Sequence, residues 1–282
     1  MKNLFNITCI LLVLGLPLGQ CQKKARKFCT DILASVPNVK SVIGGSLTKK
    51  DEFPHMVALG YGKKASPKWL CGGTLISNQF VLTAAHCIER ASDPLKVVRI
   101  NTVTLENPLK GFIDLDVQKT YIHPRYSSSS HYNDIALLKL SGTVPSYTRP
   151  ACLHTTTSIS SKLLTAIGWG RTDFAGPTSN DLLKVDLRTF TKNQCTPFYK
   201  NAKKLPKGID NKIQICAGGA DKQIKDTCDG DSGGPLSYKR ATLHYVTGIT
   251  SFGKACGLAN VPAVYTRVSA YVPWIESIVW KK

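Results

Sequence analysis

Short apolar and β-branched runs recur at close spacing along this chain, and they limit its fold more than any other feature. Met56 to Leu59, Gly73 to Ile76, Phe80 to Thr83 and Tyr245 to Ile249 are separated by stretches rich in Gly, Pro, Ser and Asn. Runs of this length suit strands, and the punctuating residues suit the turns between them. The pattern predicts an all-β protein, a barrel or a sandwich. One helix is expected, at the C-terminus: from Ser269 on, Tyr271, Trp274, Ile275, Ile278 and Val279 recur at helical spacing. That stripe reads as a docking face, not a cofactor box. The chain has 282 residues, 43% of them hydrophobic, which is enough for one large β domain or two small ones.

The N-terminus has the make-up of a secretory signal. Lys2 is followed by a mostly apolar run, Leu4 to Leu18, and then by small residues up to Cys21. The run is short for a membrane span, and no second span exists. Ten cysteines suit the oxidising compartment that such a signal leads to. Cys9 leaves with the signal. Cutting after Cys21 keeps the remaining cysteines even in number, so residues 1–21 are assigned to the signal. Residues 22–41 then form a short basic pro-segment, and residues 42–282 the main domain.

The formal net charge is +19. Basic clusters occur at Lys23-Lys24-Ala25-Arg26-Lys27, at Lys203-Lys204-Leu205-Pro206-Lys207 and at Lys281-Lys282. The plain reading is a soluble cationic surface; the sharper one is attraction to polyanions such as heparin-like glycans. No nucleic-acid motif accompanies the charge, and a nucleic-acid partner is not expected.

The chemistry concentrates at Asp226-Thr227-Cys228-Asp229-Gly230-Asp231-Ser232-Gly233-Gly234-Pro235. Ser232 lies among glycines, in a turn that lets its hydroxyl point outward, and the backbone N–H groups of Gly230 and Ser232 can converge on a developing oxyanion. A serine hydroxyl needs a base within hydrogen-bond reach. Ala84-Ala85-His86-Cys87 supplies one. Asn133-Asp134, followed by the apolar Ile135 to Leu138, supplies an acid to orient it. His123-Pro124 reads as a loop and His131 as surface. Neither a cofactor nor a metal is expected, because the cysteines are better explained as disulfides than as zinc ligands.

The order His86, Asp134, Ser232, with these local contexts, resembles the chymotrypsin/trypsin family of serine endopeptidases, and the resemblance runs from Val42 to Lys282. It implies two six-stranded antiparallel β-barrels with a C-terminal helix and a catalytic cleft between the barrels. It also implies a zymogen: Val42-Ile43-Gly44-Gly45 resembles the family's mature N-terminus, whose new amine pairs with Asp231. The residue before Val42 is Ser41, with Lys40 one step earlier. Either the activator is not trypsin-like or Ser41 is trimmed, and self-activation is not expected.

In the trypsin-like branch Asp226 would be the carboxylate at the floor of the specificity pocket, selecting Arg or Lys before the scissile bond. Ser251, Gly253 and Ala263 would form its walls; Ala263 stands where trypsins usually carry glycine and should narrow the slot. Phe252 replaces a usual tryptophan, and Asp229 should disfavour acidic residues just after the scissile bond. The stretch that often binds calcium in the family, Arg99 to Asn107, has only Glu106 as an acid, so calcium is not expected. Family analogy pairs Cys71 with Cys87, Cys195 with Cys216 and Cys228 with Cys256. It leaves Cys29 and Cys152 to tie the pro-segment to the domain. Protein substrates, an activating protease and a protein inhibitor follow as partners. The rival reading is a catalytically inactive or cationic binding homologue.

Overall fold

The computed structural model describes residues 22–35, 48, 51–89, 93–108, 110–145, 147–161, 163–171, 176–219, 230–254 and 261–281. Thirteen strands dominate them. The first six are β1 (Met56–Tyr61), β2 (Lys68–Leu75), β3 (Phe80–Thr83), β4 (Leu95–Ile100), β5 (Ile113–Ile122) and β6 (Ala136–Leu140). They pair in the order β1-β2-β3-β6-β5-β4, and the pairing of β1 with β4 closes the barrel.

The second group comprises β7 (Cys152–Leu153), β8 (Leu164–Gly168), β9 (Leu183–Phe190), β10 (Gln214–Gly218), β11 (Pro235–Arg240), β12 (Leu243–Phe252) and β13 (Ala263–Arg267). Six of these run β11-β8-β9-β10-β13-β12 and close through β11–β12, while β7 adds to β12 in parallel. The open choice between barrel and sandwich is thus resolved as two six-stranded antiparallel barrels. Closure satisfies the edge N–H and C=O groups that an open sheet would expose.

The strands expected from pattern are β1, β2, β3 and part of β12. β1 is buried at every position, so it reads as a continuous apolar run with no alternation. The expected terminal helix is α3 (Val272–Val279), entered through a single 3-10 turn at Val268–Ala270. Val272 and Ile275 are fully buried and share a core with Val246 and Ile249 of β12 and with residues of the first barrel. α3 therefore seals the seam between the barrels.

Two further helices were not expected. α2 (Lys192–Tyr199) begins with a capping box between Thr191 and Gln194, and Cys195 ties it to Cys216 of β10. α1 (Lys23–Ser35) lies in the basic stretch that precedes Val42 in the sequence. Its basic composition hid a helical signal, since Ala25, Phe28, Cys29 and Ile32 follow the i, i+3, i+4, i+7 spacing. Ala25 is buried, Phe28 packs on Trp280 with ring centroids 5.3 Å apart, and Cys29 is bonded to Cys152 of β7. The Ala25 N–H donates to a Glu276 carboxylate oxygen at 2.8 Å, so a side chain of α3 caps the first turn of α1. Burial raises the Glu276 carboxyl pKa, against the opposing effect of that hydrogen bond.

Candidate active site

His86 sits in a 3-10 turn, Ala85–Cys87, directly after β3. Ala84 and Ala85 are fully buried, which leaves the turn little freedom. The next residue, Cys87, is bonded to Cys71 of β2. Asp134 lies just before β6. Asn133 adopts the left-handed conformation (φ 56°), donates to the Arg125 carbonyl and accepts from the Tyr271 hydroxyl. That strained residue, held from two sides, turns the next side chain inward. Asp134 is 2% exposed.

Its carboxylate accepts the His86 backbone N–H on Oδ1 at 3.0 Å and faces His86 Nδ1 from Oδ2 at 2.8 Å. The Ser251 hydroxyl donates to the same Oδ2, and the Thr266 hydroxyl donates to the Asp134 backbone carbonyl. Burial alone would raise the Asp134 carboxyl pKa; the His86 and Ser251 hydrogen bonds outweigh it and hold it below its ordinary value. An ionised Asp134 can only accept. The hydrogen therefore sits on Nδ1, and Nε2 keeps a lone pair.

Ser232 occupies a turn that joins the two barrels. Its carbonyl accepts from Gly72 N–H of β2 at 2.8 Å. Gly233 N–H donates to the Thr250 carbonyl of β12, Thr250 N–H donates to Gly234, and Gly234 N–H closes the turn on Asp231. Gly233 has φ 77°, and a Cβ there would come 2.5 Å from the Gly72 carbonyl oxygen and 3.2 Å from Cys87 Sγ. His86 Nε2 lies 3.8 Å from the same sulfur. The serine turn and the basic nitrogen thus border a single atom, although they lie 146 positions apart in sequence.

Gly230 has φ 100°, and a Cβ there would strike Gly170 Cα at 2.9 Å. The Asp231 carboxylate accepts the Gly170 N–H at 2.9 Å. A Cβ on Gly168 would lie 3.0 Å from Asp231 Cγ, and one on Gly170 would lie 2.6 Å from its Oδ1. These two glycines form a cradle for the carboxylate that sequence reasoning missed; the Gly168-Trp169-Gly170 triplet was its only trace. Ser251 was read as a pocket wall alone, and its bond to Asp134 was also missed.

Ala263 is 2% exposed. A Cβ placed on Gly253 would approach the Ala263 methyl at 3.9 Å, which sets the two against each other. Asp226, Cys228, Asp229, Cys256 and Val42 lie outside the described residues. The other three cysteine pairs are bonded, including Cys29 with Cys152.

Two histidines correct their sequence reading. His131 is half-buried and stacks on Phe252, centroids 4.0 Å apart and planes 15° apart. Burial, Lys204 and His86 lower its pKa against the opposing pull of Asp134. His123 does lie in a connection, but it is 5% exposed and packs edge-on against Tyr271 and Trp274.

Among the described residues, one group places three potential metal donors together: Cys71, His86 and Cys87. Its two sulfurs are bonded to each other and offer no thiolate. In the loop at 99–107, the Arg99 guanidinium donates to the Leu105 carbonyl.

A double barrel with a buried aspartate, a histidine and a serine turn at the barrel junction defines a serine protease of the two-barrel type. The Trypsin family model matches residues 42–275, and the chain belongs to that family of serine endopeptidases. It is 42% identical to Serine protease snk of Drosophila melanogaster over 88% of its length, covering 59% of that protein. It is 38% identical to Venom protease of Bombus pensylvanicus over 82% of its length, covering 96%. Identity is 35% with Phenoloxidase-activating enzyme 1 of Spodoptera litura, over 83% of this chain and 67% of the relative. No described helix is long and apolar enough to cross a membrane.

Proposed function

We propose that this chain is a secreted endopeptidase, made as a zymogen, that cleaves after Arg or Lys in an extracellular cascade. The observation that carries the reading is the His86–Asp134 pair bordering the Ser232 turn. Ser232 is the nucleophile, and its Oγ attacks the scissile carbonyl. His86 Nε2 takes the proton and then delivers it to the leaving amine, while Asp134 stabilises the imidazolium formed in between. The N–H groups of Gly230 and Ser232 receive the oxyanion. The acyl-enzyme is hydrolysed by water through the same histidine.

Asp231 is the partner of the amine that cleavage creates at Val42. The Gly168–Gly170 cradle supports this, because it admits a carboxylate and leaves no room for a Cβ beside it. A buried ion pair is favourable only when both charges are present, so the uncut chain should be inactive. Cascade membership is supported by relatives whose names include a venom protease and a phenoloxidase-activating enzyme.

Processing the zymogen so that Val42 becomes terminal, then assaying peptides with Arg, Lys or Phe before the scissile bond, tests the reading. Hydrolysis after the basic residues is expected, with about a 100-fold loss on Asp226→Ser, since a buried charge pair broken on one side costs roughly 2–5 kcal/mol. Preference for Phe would overturn the Asp226 assignment. Failure to cleave any peptide or to label Ser232 would favour an inactive binding homologue. Gels supply a further expectation: the processed protein should run as one band unreduced and as two after reduction, since Cys29–Cys152 alone links the chains covalently. Two bands without reduction would contradict the tether.

A further inference from the structure

Helix α1 meets the end of α3. Trp280, at the end of α3, packs on Phe28 of α1, and Lys24 Nζ donates to the Trp280 carbonyl at 2.9 Å. The first basic cluster of the sequence and Lys281 are thereby brought close together. Lys23, Lys24, Arg26, Lys27 and Lys281 are all exposed there.

The helix geometry sorts these charges. At about 100° per residue, positions 23, 24, 26 and 27 occupy an arc of roughly 160°. The buried Ala25 and the half-buried Phe28, Cys29 and Ile32 centre on the opposite side of the helix. The four cations also fall within roughly 6 Å along the axis. Two acids lie nearby. Asp31 pairs with Lys27 at 3.0 Å, and Glu276 is buried under the first turn of α1. The outer face is therefore strongly cationic, and neighbouring carboxylates neutralise little of it.

We infer that the outer face of α1, together with Lys281, docks a linear sulfated polysaccharide. The inference rests on the secreted location proposed above, but not on catalysis. The class follows from the geometry. Packing against the domain covers most of the apolar face of α1, and Leu33, 47% exposed, is too little to insert the helix into a lipid surface. The cationic arc carries no aromatic on which a nucleobase could stack. A dense row of exposed cations fits a flexible polyanion read by charge and spacing. The surface lies on the pro-segment, so Cys29–Cys152 would keep it on the processed enzyme. The bound glycan would then concentrate the active protease without touching the cleft.

The test uses the intact zymogen, for which no peptidase activity is needed. Affinity for immobilised heparin is measured across a NaCl series for the wild type and two charge-matched variants. One is K23Q/K24Q/R26Q/K27Q; the other is K200Q/K203Q/K204Q/K207Q, which removes exposed lysines from a different surface. The first should weaken binding at least about tenfold at 0.15 M salt and flatten the slope of log Kd against log salt by about three, because each engaged cation releases counterions. The second should change either quantity much less. Equal losses in both would reduce the effect to net charge and overturn the inference, as would no loss in the first. Equally tight binding to phosphatidylserine vesicles would overturn the assignment of a polysaccharide. Unchanged melting temperatures show that loss of α1 docking is not the cause; if the first variant does melt lower, K23Q/K27Q alone must still weaken binding more than K203Q/K207Q.

Discussion

Asp134→Asn should lower kcat of the processed enzyme by on the order of 10⁴-fold with little change in KM or melting temperature, as the matching change does in the family's reference enzymes. The reason lies in the donors that converge on this carboxylate. The His86 backbone N–H reaches Oδ1, and His86 Nδ1–H and the Ser251 hydroxyl both reach Oδ2. A carboxylate accepts all three; an amide offers one oxygen and an NH₂ that can only donate. The amide oxygen satisfies the backbone N–H, and the NH₂ then points at Nδ1. The imidazole responds by shifting its hydrogen to Nε2, where it can no longer take the Ser232 proton. Fold and ground-state binding survive because size and shape are unchanged. A loss smaller than tenfold in steady-state kcat would remove Asp134 from the mechanism.

Acid should also destabilise the protein strongly, well before most carboxylates are protonated. His55 is 1% exposed and packs against His244, with ring centroids 4.6 Å apart and planes tilted by 40°. Its Nε2 is buried and has no hydrogen-bond partner. Burial, with His244 alongside, holds its pKa well below the ordinary value. His244 is lowered to about 4 by burial, Lys239 and Arg149, with Glu52 opposing; His123 is lowered to about 4 by burial and Arg125.

For His244 and His123 the unfolded chain takes up protons near pH 6.5 and the folded protein only near pH 4, and His55 shifts in the same direction. Stability is thus complete above about 6.5 and falls as the pH drops from there to about 4, at a cost on the order of 2–3 kcal/mol each for His244 and His123. Melting should therefore fall by on the order of 10 °C or more between pH 7 and pH 4.5. His244→Gln should lose part of that slope and melt closer to the wild type at pH 4.5 than at pH 7. The comparison separates the histidines from carboxylates such as Asp134, which also weaken the fold in acid. Parallel profiles for wild type and variant would sink the assignment.

Little of this histidine pair was legible in the sequence. His55 precedes β1 in the first barrel and His244 opens β12 in the second, and no spacing rule joins positions so far apart. His131 was hidden in the same way: two residues before Asp134, it looks like loop, and only the approach of Phe252 from the other barrel buries it. α1 failed for a different reason. Its apolar spacing was present, but its charge dominated, and a helix of this length is marginal until Trp280, Glu276 and Cys152 hold it.

The strands β1 and β3 and the helix α3 were readable because a few adjacent residues carry the periodicity that defines them. The identities of His86, Asp134 and Ser232 were readable too, because each stands in a distinctive local context. The sequence by itself therefore determined the parts: short strands, a terminal helix, a histidine, an aspartate and a serine in distinctive local settings, and cysteines placed for disulfides. Tertiary structure decided their meeting. β12 brings Ser251 to Asp134, Gly72 draws the Ser232 turn against Cys87, and α3 carries Trp280 to α1. Those contacts depend on barrel closure and strand register over more than a hundred residues, and such non-local pairings leave no periodic mark on the chain.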